Sequence, residues 1–183
     1  MLTTSLSFAI AFISAMLIVR YASNLQASAD SDLQGVQKFH TQPVPRIGGL
    51  AIAAALGLTS IDLCRRAPEF GQPIGLLALC AAPVFAMGLM EDLTKSIKPG
   101  IRLASSFVSA VLGSVLLNAT VTRLDIPSLD FLLQIPIAPI VVTALCVGAL
   151  VNAVNIIDGF NGLAPFSSIV MFGSLGVASL TII

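Results

Sequence analysis

The sequence predicts an all-α, polytopic membrane protein with about six transmembrane helices, and three observations support that fold class. Hydrophobic residues make up 56% of the 183 positions and charged residues only 10%, whereas a soluble domain has roughly 25% charged residues. The mean hydropathy is +0.98. Six apolar segments alternate with polar loops. We expect all six to be helical, because a lone strand in lipid would leave its backbone groups unpaired.

Each apolar segment is close to the length of about 20 residues that a membrane span requires. The six candidate spans are Leu6–Tyr21, Ile47–Leu63, Ile74–Met90, Leu103–Thr120, Ile135–Asn152 and Leu163–Ile183. The first has no basic residue before it and no clear cleavage site directly after it, so we interpret it as a retained span. Pro83, Pro136 and Pro139 are expected to kink or bound helices.

The whole chain, residues 1–183, reads as a single transmembrane domain without internal repeats. Its last apolar segment has no polar flank at Ile183, so we expect a chain that is truncated at its C-terminus. Nine acidic residues balance nine basic residues, which predicts no nucleic-acid partner. The cysteines Cys64, Cys80 and Cys146 lack CxxC spacing and are interpreted as small hydrophobic residues.

Polar and charged residues collect in every second loop. These three motif loops are Lys38–Arg46, Glu91–Arg102 and Asn152–Gly162, and alternate loops of a polytopic protein lie on one side of the bilayer. Six Lys and Arg residues flank that side and three flank the other. This bias predicts that the motif loops face the cytoplasm. The sequence therefore indicates an integral membrane enzyme with its polar groups gathered on one face.

The first motif loop carries phosphate-binding chemistry. Lys38, His40 and Arg46 could hold phosphate oxygens, and Gly48 and Gly49 allow a ligand or a helix to approach the backbone. The alternative is a positively charged cytoplasmic anchor beside a glycine-packed helix.

The second motif loop places two adjacent carboxylates, Glu91 and Asp92, at the end of an apolar segment. Such charges are costly there unless they bind a cation or accept a proton. Mg²⁺ held by one or two carboxylates and substrate phosphates would suit diphosphate chemistry, with Lys95, Lys98 and Arg102 as possible phosphate partners. The alternative is a surface pair of Glu91 with Lys95.

The third motif loop repeats polar side chains every three residues. Asn152, Asn155 and Asp158 would share one helix face, where amide and acid groups indicate a ligand or a polar cavity. The alternative is a helix C-terminal cap built from turn residues such as Asn161 and Gly162.

Together, the three motif loops resemble those of the polyprenyl-phosphate N-acetylhexosamine-1-phosphate transferases, a family that includes the phospho-MurNAc-pentapeptide translocases. The resemblance rests on Lys38-x-His40, Pro45-Arg46-x-Gly48-Gly49, Gly88-Leu89-x-Glu91-Asp92 and the segment Asn152–Gly162. It implies transfer of a sugar 1-phosphate from a UDP-sugar to polyprenyl phosphate, with release of UMP. The Pro-Arg-x-Gly-Gly form of the first motif implies that the transferred group is GlcNAc-1-phosphate. This reaction would start a cell-envelope polymer such as O-antigen.

The resemblance also implies partners and residue roles. The cofactor would be Mg²⁺, or Mn²⁺ in its place, and the site would lie at the cytoplasmic face of a bacterial inner membrane. The partners would be UDP-sugar, polyprenyl phosphate and membrane lipid, and a homodimer is left open. Glu91, Asp92 and Asp158 would be catalytic, and Asn155 and Asp92 would contact the metal. The substrate-binding residues would be Lys38, His40, Arg46, Gly48, Gly49, Lys95, Asn152 and Asn161.

Two departures from the family pattern bear on these expectations. The family usually has Asp-Asp where Glu91 and Asp92 stand. Its members have about ten spanning helices and later Gly-Asp-x-Gly-Ser and His-rich loops that this sequence lacks. We therefore expect an N-terminal portion that is incomplete as an enzyme on its own. Two alternatives are an inactive fragment of that enzyme and a transporter or channel module with a polar site.

Overall fold

A computed structural model describes residues 2–21, 29–30, 44–45, 47–94, 96–157 and 162–182. Seven helices lie in these residues, and one pair of two-residue strands joins antiparallel in register Ala29 to Pro45 and Asp30 to Val44. In chain order the elements are α1 Leu2–Tyr21, β1 Ala29–Asp30, β2 Val44–Pro45, α2 Gly49–Arg66, α3 Pro68–Thr94, α4 Pro99–Leu116, α5 Pro127–Leu132, α6 Ala138–Ile157 and α7 Leu163–Ile182.

The predicted all-α membrane fold is confirmed, with one adjustment to the span count. Each of the six predicted spans coincides with a long helix. Within the described residues, five of these six helices are both long and apolar enough to cross a membrane. The remaining one, α2, carries Asp62, Arg65 and Arg66 near its end, which makes it less apolar than the others. The short helix α5 falls in a loop where the sequence predicted no element.

Consecutive helices pack side by side, so that α1 contacts α2, α2 contacts α3, α3 contacts α4, and α4 contacts α6. A single residue, Ala67, connects α2 to α3. This sharp reversal requires a glycine, because a Cβ atom on Gly71 would overlap the backbone of Cys64. The connection therefore sets α2 and α3 antiparallel and close together.

Helix α4 is polar on its packed face and apolar on its outer face. Its buried residues are Ser105, Ser106, Ser109, Ala110 and Ser114. Its exposed residues include Val108, Val111 and Val115. Such a helix suits lipid as its solvent, because small side chains allow close helix packing where there is no hydrophobic drive between helices.

Most buried serines in α4 satisfy their hydroxyl groups within their own helix. Ser105 donates to the Arg102 carbonyl at 2.7 Å, Ser106 to the Leu103 carbonyl at 2.7 Å, and Ser114 to the Ala110 carbonyl at 2.9 Å. These bonds remove the cost of burying an unpaired hydroxyl in an apolar environment.

The prediction that prolines bound helices is confirmed at the start of α6, whereas α3 continues through Pro83. Pro83 lies inside α3, while Pro136 precedes α6 and Pro139 is its second residue. Proline is tolerated in the first turn of a helix because its missing N–H would have no partner there.

Beyond α4, the Thr143 hydroxyl accepts the Val121 N–H at 2.8 Å and donates to the Pro139 carbonyl at 2.7 Å. This hydroxyl joins the loop after α4 to α6.

Candidate functional site

The helix ends that flank the three motif loops lie at one end of the helix bundle. Helix α2 begins there, α3 ends there, α4 begins there and α6 ends there. A Cβ atom on Gly49 would lie 3.8 Å from the Phe85 ring of α3, so the start of α2 lies against the last part of α3. The candidate site is therefore built from helix ends, where backbone and side-chain polar groups can be exposed without crossing lipid.

The turn from α3 to α4 is defined by local chemistry. Lys98 is extended, with ψ of 142°, as expected for a residue that precedes a proline. Pro99 then occupies the first position of α4, where it costs no hydrogen bond. On the other side of the turn, the Thr94 hydroxyl donates to the Met90 carbonyl at 2.6 Å and accepts from the Ser96 hydroxyl at 3.1 Å. These bonds pair the hydroxyl groups of both side chains at this turn.

Across this turn, an ion pair joins the two helices. The Arg102 Nη1 group donates to Glu91 Oε2 at 2.5 Å, and the exposed fractions of the side chains are 22% for arginine and 29% for glutamate. A charge-assisted hydrogen bond of this kind is stronger than a neutral one. Glu91 was predicted as catalytic and Arg102 as a phosphate partner, and the structure brings these two side chains together.

Each member of this pair lies at the unfavourable end of its own helix. The last turn of α3 contains Glu91 and Asp92 but no basic residue, although the C-terminal end of a helix dipole disfavours negative charge. Arg102 lies in the first turn of α4, where the dipole disfavours positive charge. Helix stability alone does not account for this placement, because exchanging the two charges would suit both dipoles better. The ion pair across the turn offsets this cost, because each side chain has an opposite charge as its partner.

A small, half-open cleft of about 10 Å³, room for about one water molecule, lies beside the pair, between α4 and α6. Its lining residues are Pro99, Arg102, Leu103, Ser106, Gly148, Val151 and Asn152. Arg102 is therefore held by Glu91 on one side and faces a space shared with Asn152. The cleft combines one cation, one amide and apolar walls.

Helices α4 and α6 pack closely beside this cleft. A Cβ atom on Gly148 would come within 2.5 Å of the Phe107 ring atom Cε1. Glycine at this position lets the ring lie directly against the α6 backbone. The Ser106 side chain beside it is completely buried. These contacts hold the helices that carry Arg102 and Asn152 at a fixed separation.

The other described site residues occupy the same end with fewer contacts. Asn155 is exposed near the end of α6 and is absent from the residues that line the cleft. Gly48 precedes α2 with open space around its Cα. Gly162, just before α7, has φ of +80°, a conformation that favours glycine. This φ value supports the turn role that the sequence analysis left open for Gly162.

Several predicted site residues lie outside the part of the chain that the structure describes. These residues are Lys38, His40, Arg46, Lys95, Asp158 and Asn161. Their predicted roles, and the alternative pairing of Glu91 with Lys95, stay predictions. Asp92 is described, half-buried at the end of α3 beside Glu91, and it has an interaction partner. Within the described ranges, no cluster of three or more His, Cys, Asp or Glu residues could hold a metal ion.

Sequence reasoning missed two features of the site. It did not identify Arg102 as the partner of Glu91, because the two are 11 residues apart and meet only when the helices fold back on each other. It also did not identify Ser106 and Gly148 as cleft residues. The pattern of small residues at 105, 106, 109, 110 and 114 along α4 could have indicated its packed face.

Comparisons with known proteins bear on what this site does. A family model described as glycosyl transferase family 4 matches residues 74–182. An undecaprenyl-phosphate alpha-N-acetylglucosaminyl 1-phosphate transferase from Yersinia pestis is 28% identical over 151 residues, covering 80% of this chain and 39% of the relative. A phospho-N-acetylmuramoyl-pentapeptide-transferase from Caldicellulosiruptor bescii is 26% identical over 187 residues, covering 97% of this chain and 56% of the relative.

The chain therefore spans between about two fifths and just over half the length of these relatives. No solved structure matches it. The matched family segment includes the second and third motif loops, together with every residue that lines the cleft.

Proposed function

Because this chain belongs to glycosyl transferase family 4, we propose that it supplies part of a site that transfers a sugar 1-phosphate from a UDP-sugar to polyprenyl phosphate. The names of both relatives describe phosphate-linked sugar transfer. The proposal extends to GlcNAc-1-phosphate as the transferred group and to a site at the cytoplasmic membrane face. The transferase class itself follows from the family.

The observation that carries the proposal is the arginine in the cleft. Arg102 is tied to Glu91 at 2.5 Å and lines the same cleft as Asn152. A guanidinium has five N–H donors in a planar fork, and the bond to Glu91 uses one of them. The remaining donors suit the oxygens of a diphosphate, which carry negative charge and accept several hydrogen bonds. The Asn152 amide adds a donor and an acceptor on the facing helix.

In the proposed reaction, an oxygen of polyprenyl phosphate attacks the β-phosphorus of the UDP-sugar. A new P–O bond forms to the lipid phosphate, and the bond from the β-phosphorus to the oxygen bridging the two phosphates breaks. UMP leaves with that oxygen, and the sugar 1-phosphate is joined to the lipid through a diphosphate. Arg102 would stabilise the negative charge on the phosphate oxygens, and Glu91 would hold the guanidinium in position.

The donor chemistry at this end of the bundle fits a divalent cation in kind. Asp92 offers a carboxylate and Asn155 a carbonyl oxygen, and Mg²⁺ is commonly held by one or two carboxylates together with substrate phosphates. We propose that these two residues hold Mg²⁺, or Mn²⁺ in its place, against the diphosphate. The bound cation would supply charge neutralisation at the phosphates. Glu91 is a less suitable ligand because its carboxylate is engaged by Arg102.

The alternative of a transporter or channel module requires the polar residues of the third motif loop to lie deep in the bilayer. Asn152 and Asn155 lie in the last two turns of α6, which ends at Ile157. At 1.5 Å per residue, Asn152 is about 8 Å from the helix end. This position near the end of the helix supports a site close to the membrane surface, as the transferase proposal requires.

Binding of UDP to the purified chain in lipid nanodiscs tests the proposal. UDP should bind in a Mg²⁺-dependent manner, and Arg102→Gln should weaken binding about tenfold to a hundredfold, as expected for a lost hydrogen bond to a charged group. Titration calorimetry or equilibrium dialysis with labelled UDP would measure the change.

Arg123 offers a matched control. It is also paired with a carboxylate, Asp125, at 2.6 Å, but it lies in the loop after α4 and is exposed. Arg123→Gln should leave UDP affinity unchanged. An equal loss in both variants, or no loss in Arg102→Gln, would remove the cleft as the diphosphate site.

A further inference from the structure

Two polar contacts connect α3 and α4 in a single antiparallel register. The Val84 N–H donates to the Ser109 hydroxyl oxygen at 3.1 Å, and Arg102 donates to Glu91 at 2.5 Å. Val84 precedes Glu91 by seven residues, and Ser109 follows Arg102 by seven residues. Seven residues make almost two helical turns, or about 10 Å of rise, so the two contacts lie on the same face of each helix.

Pro83 explains why a backbone N–H of α3 bonds to a side chain of α4. Proline lacks an N–H, and its ring clashes with the carbonyl four residues earlier, so the helical hydrogen-bond ladder is interrupted there. The missing bond leaves the Leu79 carbonyl without its donor, and the clash with the ring also weakens the next bond of the ladder, from the Val84 N–H to the Cys80 carbonyl. A weakened donor in a membrane helix is stabilised by a partner from a neighbouring helix. The Val84 N–H, next along the chain from Pro83, has that partner in Ser109.

Ser109 is the appropriate side chain for this role because of its burial and its direction. It is 7% exposed, and the bond that the structure gives it runs to α3 rather than to a carbonyl of its own helix. Ser105, Ser106 and Ser114 on the same helix all bond to their own helix. Ser109 thus differs from its neighbours in joining two helices.

We propose that Ser109 is a positioning residue: by accepting the N–H of Val84 next to Pro83, it fixes the register of the α3–α4 hairpin and thereby holds Glu91 opposite Arg102. The structural part of this inference depends on the two contacts alone. Its consequence for ligand binding rests on the proposed function. A displacement by one helical turn would move the Glu91 carboxylate by about 5.4 Å relative to Arg102, which is too far for their hydrogen bond.

A disulfide cross-link between positions 91 and 102 measures this register directly. The background would be the full chain with Cys64, Cys80 and Cys146 replaced by alanine, carrying Glu91→Cys and Arg102→Cys in lipid vesicles. With the ion pair replaced, the contact at Ser109 remains to hold the register. Ser109→Ala should slow oxidative cross-linking about tenfold, as expected when a buried donor loses its acceptor.

Ser109→Thr and Pro83→Ala separate register from packing. Threonine retains the hydroxyl, so it should keep most of the cross-linking rate. In a Pro83→Ala background the helix can recover its own ladder, so that adding Ser109→Ala should change the rate less than twofold, well below the tenfold factor expected for an unsatisfied donor. An unchanged rate in Ser109→Ala with Pro83 present would overturn the proposal. An equal loss in both backgrounds would also overturn it, because Ser109 would then act through packing alone.

UDP affinity of the chain with native Glu91 and Arg102 distinguishes this inference from the proposed function. If Ser109→Ala weakens UDP binding and Ser109→Thr restores it, both stand. If the cross-linking results hold but the unmodified chain binds no UDP, the register role of Ser109 stands and the proposed function fails. If UDP binds equally well to Ser109→Ala while Arg102→Gln abolishes binding, the positioning role fails and the proposed function stands.

Discussion

The ion pair between Glu91 and Arg102 should stabilise the folded hairpin by a measurable coupling free energy. The perturbation is a double-mutant cycle of Glu91→Gln, Arg102→Gln and the two together. Glutamine retains the length of glutamate and a hydrogen-bond acceptor but removes the charge. The cycle isolates the interaction between the two side chains from what each contributes alone.

The magnitude follows from the burial and geometry of the pair. Both side chains are less than one third exposed, and the bond length is 2.5 Å. Fully exposed pairs contribute about 0–1 kcal/mol, and hydrogen bonds to charged groups contribute about 1.5–3 kcal/mol. Because this pair lies between those cases, we expect a coupling of about 1–2 kcal/mol in favour of the folded state.

Unfolding of the reconstituted chain by increasing SDS, followed by circular dichroism, would give the four free energies of unfolding. The pair of Arg66 with Asp62 provides the comparison. It lies within one helix at 2.9 Å, and its arginine is 59% exposed, so its coupling should be about 0.3–0.5 kcal/mol. Equal couplings for the two pairs would refute the reasoning that burial strengthens the contact between α3 and α4.

Two further predictions concern the acidic pair and the packing behind the cleft. Asp92→Asn should remove the Mg²⁺ dependence of UDP binding, and Mg²⁺ dependence that survives this substitution would exclude Asp92 as a metal ligand. Glu91→Asp should retain more UDP affinity than Glu91→Gln, because aspartate keeps the charge opposite Arg102. Gly148→Ala should lower the free energy of unfolding by about 1–3 kcal/mol through overpacking against Phe107, whereas Gly113→Ala, with open space around it, should be neutral or raise it by up to about 1 kcal/mol. Equal effects of these two glycine variants in the SDS titration would contradict the packing argument.

The long helices could be predicted from the sequence because lipid imposes a simple rule. A segment of sufficient length and apolarity must form a helix to satisfy its backbone, and each predicted span coincides with a helix. The ends were less predictable. Helix α3 begins six residues before the predicted Ile74 and continues past Met90 to Thr94. The carboxylates of Glu91 and Asp92 therefore lie inside the helix rather than after it.

The gathering of polar loops at one end was also predictable, since alternation along the chain determines it. The contacts within the site were not. The partner of Glu91 depends on how α3 and α4 fold back across the turn at Lys98 and Pro99, and no local pattern specifies that register. Gly148 appeared in the sequence as one glycine among 14, and its importance follows from the position of the Phe107 ring, which only the packed helices define.

Thiol labelling at Asn152 tests most directly the central claim that the cleft is a nucleotide-sugar site at the membrane face. Asn152→Cys would be compared with Thr122→Cys, an exposed position in the loop at the other end of α4, both in a background without the three native cysteines. The probe is a membrane-impermeant maleimide, applied to inside-out and right-side-out vesicles with and without UDP-GlcNAc and Mg²⁺.

The cysteine at position 152 should react from the cytoplasmic side, and UDP-GlcNAc with Mg²⁺ should slow its labelling. The cysteine at position 122 should react from the opposite side at a rate that the nucleotide does not change. Labelling at 152 that is unaffected by UDP-GlcNAc, or that occurs from the same side as labelling at 122, would contradict the account.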